Sequence, residues 1–242
     1  MLDDMTRIRR LLSDRDFLWR ASFVFAILLI VSSGLLWFTT RGYPDRPAPA
    51  DFYGPILAVE LAKTPEDLQW ALGDCDLKNG PRIHSIVFWN TVVDLLFIPC
   101  YAGFITAFSG FLATRLKPMQ WPANVPRDLI VFAALADLVE DGGIFYALNH
   151  TDSGIFWITF PSLVKWTLLY MGILSLGILF LAVKDAPFAQ PLTGIFTLLV
   201  LASGVVGLLG WIAPLHYQHG AELFAVLPLG RALWPLLQRL QP

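Results

Sequence analysis

Apolar residues along this chain collect into five long runs, at residues 17–40, 85–114, 129–148, 157–183 and 192–213, separated by charged or proline- and glycine-containing segments. A helix rises about 1.5 Å per residue, so about 20 apolar residues are needed to cross roughly 30 Å of hydrocarbon. Each run therefore predicts a transmembrane helix. Trp19, Trp37, Trp89, Trp157 and Trp211 fall near run ends, where amphipathic rings favour the headgroup boundary. The expected fold is an all-α integral membrane protein, a bundle of five transmembrane helices in a single membrane domain over residues 1–242. Residues 1–16 form a charged N-terminal segment. The first run is too long for the core of a cleaved signal peptide and no small-residue cleavage site follows it, so it is expected to remain as a helix.

The segments between runs refine the layout. Residues 41–83 are the only sizeable connection and are expected to form an amphipathic extramembrane cap. Its opening, "YPDRPAPADFYGP", cannot be continuous helix, because proline lacks the amide hydrogen and restricts the residue before it. "TPEDLQWAL" then has the signature of a helix start, with Thr64 as N-cap, Pro65 at the first helical position, and Glu66 and Asp67 at the positive end of the dipole. Leu61, Leu68, Trp70 and Leu72 would lay this element on the membrane surface or over the bundle mouth. Residues 214–242 are apolar but interrupted by Pro228, Arg231 and Pro235, which predicts an interfacial C-terminal segment. Arg7, Arg9, Arg10 and Arg15 precede the first run, and Arg115, Lys117 and Arg127 join the second to the third. The connection between the third and fourth runs carries no Lys or Arg. Under the positive-inside tendency this is a multi-pass protein with a cytoplasmic N-terminus and an outer C-terminus.

Composition agrees with the membrane reading and narrows the function classes. Of 242 residues 56% are hydrophobic and only 15% charged, against about a quarter charged in soluble domains. A net charge of -2 provides no basic footprint for nucleic acid. Two cysteines, Cys75 and Cys100, cannot build a disulfide framework. No dinucleotide fingerprint, P-loop or serine-hydrolase elbow is present. The expected partners are membrane lipids and a second copy or larger membrane complex, for which Gly103-xxx-Ala107 and Ser203-xxx-Gly207 offer close helix contacts within or between chains.

The runs are not wholly apolar, and the exceptions carry the candidate chemistry. Asp94, Asp137 and Lys165 each lie nine or ten residues into a run, so under this topology all three reach mid-bilayer. Asp137, Glu140 and Asp141 stand at i, i+3 and i+4 and share one helix face, and Asn90, Asp94 and Tyr101 form a polar stripe on the preceding helix. An unpaired Asp or Lys at a helix centre costs about 2.5–3.5 kcal/mol even on lenient insertion scales, so these faces are expected to turn inward and meet. The predicted centre is a cluster of Asp94, Asp137, Glu140 and Lys165, with Asp141, Asn90 and Tyr101 as further binding residues. Several carboxylates facing one lysine require a shared proton, a bound cation or water, which suits transport; a buried ionic lock that sets helix register is the alternative. Gly142 and Gly143 follow the acids and permit either a close backbone approach or a break in the helix.

Four histidines, His84, His150, His216 and His219, fall on one membrane face under the same topology and are candidate ligands for a transition metal. The leading expectation is a small transporter or channel-like protein whose acid-lysine cluster binds a proton, cation or polar substrate. The alternatives are an intramembrane metal-dependent enzyme acting on a lipid or apolar substrate, and an accessory subunit of a membrane complex. The cofactor classes implied are a bound cation or a transition metal.

Overall fold

The computed structural model describes residues 14–44, 55–73, 78–116, 124–150 and 154–182. Most of the described residues are helical, with no strand among them. The helices are α1 (Arg15–Thr40), α2 (Pro55–Glu60), α3 (Pro65–Leu72), α4 (Gly80–Ala113), α5 (Asn124–Ala147) and α6 (Ile155–Ala182). Three of them, α1, α4 and α6, are long and apolar enough to cross a membrane. The fifth run at 192–213, the C-terminal segment at 214–242 and most of the N-terminal segment lie outside the described residues.

The helices start a little before their apolar runs, and the caps explain why. Asp14 Oδ1 accepts from the amides of Asp16 at 2.9 Å and Phe17 at 3.2 Å, satisfying first-turn donors that have no partner within the helix. Pro81 and Pro126 sit in the first turns of α4 and α5, where their missing amide hydrogens cost little. In α3, Thr64 Oγ1 accepts from the Asp67 amide at 3.1 Å while Asp67 Oδ2 accepts from the Thr64 amide at 3.0 Å. This reciprocal box satisfies two orphan donors. The helix ends on Gly73 at φ 89°, a left-handed conformation that glycine adopts without a Cβ clash.

The chain divides into two compact units. The first comprises 1–30, 100–131 and 168–242. Here a Cβ on Gly103 would fall 2.5 Å from the Phe25 ring, so the absence of a side chain is what lets α1 and α4 approach. Phe104 stacks on Phe108 with centroids 5.8 Å apart, and Trp19 packs against Phe111 at 5.0 Å.

The second unit comprises 31–99 and 132–167. Its core is Ala58, Val59, Ala62, Leu68, Ala71, Leu72, Ile83, Val87, Ile144, Ala147 and Ile158. The α2–α3 segment thus contributes a fully buried face, and its backbone is tied to α6 and to the turn after α1. Thr159 Oγ1 donates to the Ala62 carbonyl at 2.8 Å, and Tyr43 Oη donates to the Ala71 carbonyl at 2.9 Å. Helix α5 runs unbroken through Gly142 and Gly143. A Cβ on Gly143 would lie 2.7 Å from the Trp157 carbonyl oxygen, whereas one on Gly142 would meet nothing within 4 Å among the described residues. Close backbone approach is the role of Gly143, and the helix does not break at either glycine.

Candidate functional site

All the charged groups of the candidate centre that lie close together belong to the second unit. Lys165 extends from α6 into carboxylates from two other helices. Its Nζ lies 2.7 Å from Glu140 Oε2 and 3.0 Å from Asp137 Oδ1, both on α5, and 3.3 Å from Glu60 Oε1 at the end of α2. An ammonium has three N–H donors, and here it lies against three acids. Lys165 and these partners have side chains no more than 6% exposed, so bulk water does not solvate the charges. Glu60 is fixed from its other oxygen as well: Oε2 accepts from Trp166 Nε1 at 2.8 Å.

Helix α5 supplies two of the three partners because its period places Asp137 and Glu140 one turn apart on one face. Val131, Phe132, Leu135, Leu138 and Val139 on the same helix are exposed, while Asp137, Glu140 and Asp141 are buried. The helix is therefore apolar outward and acidic inward. This inverts the pattern of a helix in water.

A second group of carboxylates adjoins the first. Asp94 on α4, partly buried, and Asp137 and Asp141 on α5, both buried, each offer an oxygen such that all three oxygens lie within 4.8 Å of one another. Asp137 belongs to both groups. Asp141 is 1% exposed, and its Oδ2 has no hydrogen-bond partner among the described residues. Ser162, one turn before Lys165 on α6, is fully buried with its Oγ likewise unpartnered among the described residues. With every group ionised, five carboxylates around one ammonium carry a formal charge of -4.

The remaining residues singled out from the sequence are placed elsewhere. Asn90 donates from Nδ2 to Thr39 Oγ1 at 2.7 Å and to the Leu36 carbonyl at 3.3 Å, so its amide ties α4 to α1. Tyr101 is buried in the first unit. His84 is in the first turns of α4, and His150 is exposed beyond α5, stacked on Tyr146 with centroids 4.5 Å apart. Among the described residues, neither histidine belongs to a group of three or more converging metal ligands. His216 and His219 lie outside the described residues.

Glu60 and Trp166 are the site residues that sequence reasoning missed. Glu60 is the only charge in "ILAVELA", an unusual place for an acid. It fell in a connection expected to lie outside the membrane, so its apolar setting was the one available signal. Chemically, the arrangement can hold a proton among its carboxylates, bind a cation, or lock three helices together. Searches against protein-family models, curated proteins and solved structures each return no match to this chain.

Proposed function

We propose that this chain is a small multi-pass membrane protein of the transporter or channel class, in which the buried acid-lysine cluster binds and passes a proton or cation. The observation that carries this reading is the charge imbalance: among the described residues, five carboxylates converge around the one ammonium of Lys165. Ionisable groups within membrane helices mark ion pathways and proton relays, because their burial is otherwise too costly to keep. On this reading α5 is a span alongside α1, α4 and α6, since at 24 residues it is about 36 Å long and its outward face is apolar. Residues 192–213 supply the fifth span, the N-terminus is cytoplasmic, the C-terminus is outside, and the α2–α3 pair caps the outer mouth. The protein works among membrane lipids, as an oligomer or within a larger complex.

The test is flux. Purified protein reconstituted into liposomes is expected to carry a pH-dependent flux that Asp137→Asn or Lys165→Ala abolishes while helical content is kept. Equal flux in wild type and both variants would refute the proposal.

A second reading, an accessory subunit held in register by an ionic lock, is favoured by one specific observation. Lys165 has three carboxylates against it, two from α5 and one from α2, and Glu60 is further tied to Trp166. A lock of this kind can be replaced jointly by well-packed apolar residues without loss of stability. Joint replacement of Lys165, Asp137, Glu140 and Glu60 that leaves both folding and cellular function intact would select this reading over transport.

A further inference from the structure

The geometry points to Asp94, Asp137 and Asp141 as a binding site for one hard divalent cation, with Asp137 shared between that ion and Lys165. The inference deepens the proposal above and rests on its view of the cluster as a cation-binding centre.

Three observations lead there. First, the positive charge of Lys165 is already committed. Its ion pairs are to Glu60, Asp137 and Glu140, which leaves Asp94 and Asp141 outside its contacts. Two carboxylates left over beside a third amount to the charge that a dication neutralises. Second, Asp141 is buried, yet among the described residues Oδ2 has no hydrogen-bond partner. An orphaned carboxylate oxygen is costly away from water, and metal coordination is one of the few ways to satisfy it.

Third, the spacing suits coordination. The three oxygens lie within 4.8 Å of one another. Two oxygens on opposite sides of an ion bound at about 2.0–2.6 Å are separated by about 4.0–5.2 Å, and adjacent ones by less.

The donor set names the class of ion. Every candidate ligand is a carboxylate oxygen, with no imidazole or thiolate in the group. Such a set selects magnesium, calcium or manganese over zinc or copper. The two helices also contribute in different ways. Asp137 and Asp141 are four residues apart on α5 and come as a preformed pair, whereas Asp94 on α4 completes the third side. Lys165, held against Asp137, acts as a tethered competitor for the ion: its ammonium already occupies part of the field that the dication would feel. An ion entering the site and the ammonium of Lys165 therefore draw on the same carboxylate.

Binding of Mn2+ to the purified full-length protein in metal-free detergent buffer tests this, read by loss of the free aquo-ion electron paramagnetic resonance signal. The expected result is saturable binding of one Mn2+ per chain, displaced by Mg2+ or Ca2+. Affinity should fall by about tenfold or more in Asp141→Asn and Asp94→Asn and stay unchanged in Glu66→Gln, a control acid at the exposed start of α3. Lys165→Gln should tighten binding, an effect that a purely structural role for the lysine would not produce. Asp94 is only partly buried, so its variant decides the matter if Asp141→Asn does not fold. Absence of saturable Mn2+ binding, or wild-type affinity in the folded aspartate variants, overturns the site.

Flux measured in chelator-treated liposomes separates the two proposals. Lysine-dependent proton flux without Mn2+ binding removes the dication site and keeps transport. Mn2+ binding in a protein that carries no flux does the reverse.

Discussion

Replacing Lys165 with methionine removes the one ammonium of the cluster while keeping most of the side chain's length. The three contacts at 2.7, 3.0 and 3.3 Å each represent a gross attraction of about 5–6 kcal/mol at an effective dielectric of about 20. Much of this is cancelled by the cost of taking the charges out of water. The net expectation comes from buried pairs broken on one side, where stranding the partner costs about 3–5 kcal/mol. Since whole-protein stabilities are about 5–15 kcal/mol, Lys165→Met should produce a large fall in denaturant midpoint when unfolding is followed by circular dichroism in detergent micelles. Glu140 is the nearest partner and has no other ion pair among the described residues, so adding Glu140→Gln to Lys165→Met should recover part of the loss. Glu60→Gln should recover less, because the Glu60 carboxylate still accepts from Trp166 Nε1 when the lysine is gone and its contact with Lys165 was the longest of the three. If Lys165→Met unfolds within about 0.5 kcal/mol of wild type, a shift typical of uninvolved surface positions, the lysine is not the counter-charge and the electrostatic argument fails.

Two further outcomes follow from local geometry. Gly143→Ala, whose new Cβ would sit 2.7 Å from the Trp157 carbonyl, should destabilise by about 1–3 kcal/mol through overpacking. Gly142→Ala, with open space around it, should be neutral or stabilise by up to about 1 kcal/mol through helix propensity; thermal unfolding of the two variants side by side checks the contrast. Spin labels at Phe132→Cys and Val139→Cys, on the exposed face of α5, should be more accessible to oxygen than to a water-soluble nickel chelate in reconstituted membranes. The opposite ranking would set that face against water and remove α5 from the spans.

How much of the centre was legible in advance varies residue by residue. The shared face of Asp137, Glu140 and Asp141 followed from the helical period alone, and counting along the runs put Lys165 at a matching depth. Partner choice did not follow. Nothing in the spacing distinguishes Asp94 from Glu60 as a neighbour of Lys165, yet the ion pair is with Glu60, brought from a six-residue helix by the packing of Ala58, Val59 and Ala62. Asn90 and Asp94 share a helical stripe in the sequence, but Asn90 is taken up by Thr39 on α1. Gly143 and Gly142 are indistinguishable as a dipeptide, and only the approach of the Trp157 carbonyl separates their roles.

Hydrophobic run length, helix starts at caps and prolines, and the facing of residues three and four apart are local properties, set within one or two turns of a chain. For that reason the amino-acid order alone determined that the protein is helical, apolar enough to enter a membrane, and burdened with acids that lipid cannot solvate. Which of those acids meet Lys165, and which stand with Asp137 in the adjoining group of three, depends on contacts between segments up to 105 residues apart. Such contacts are decided by how small residues let helices pack, and that information exists only once the chain has folded.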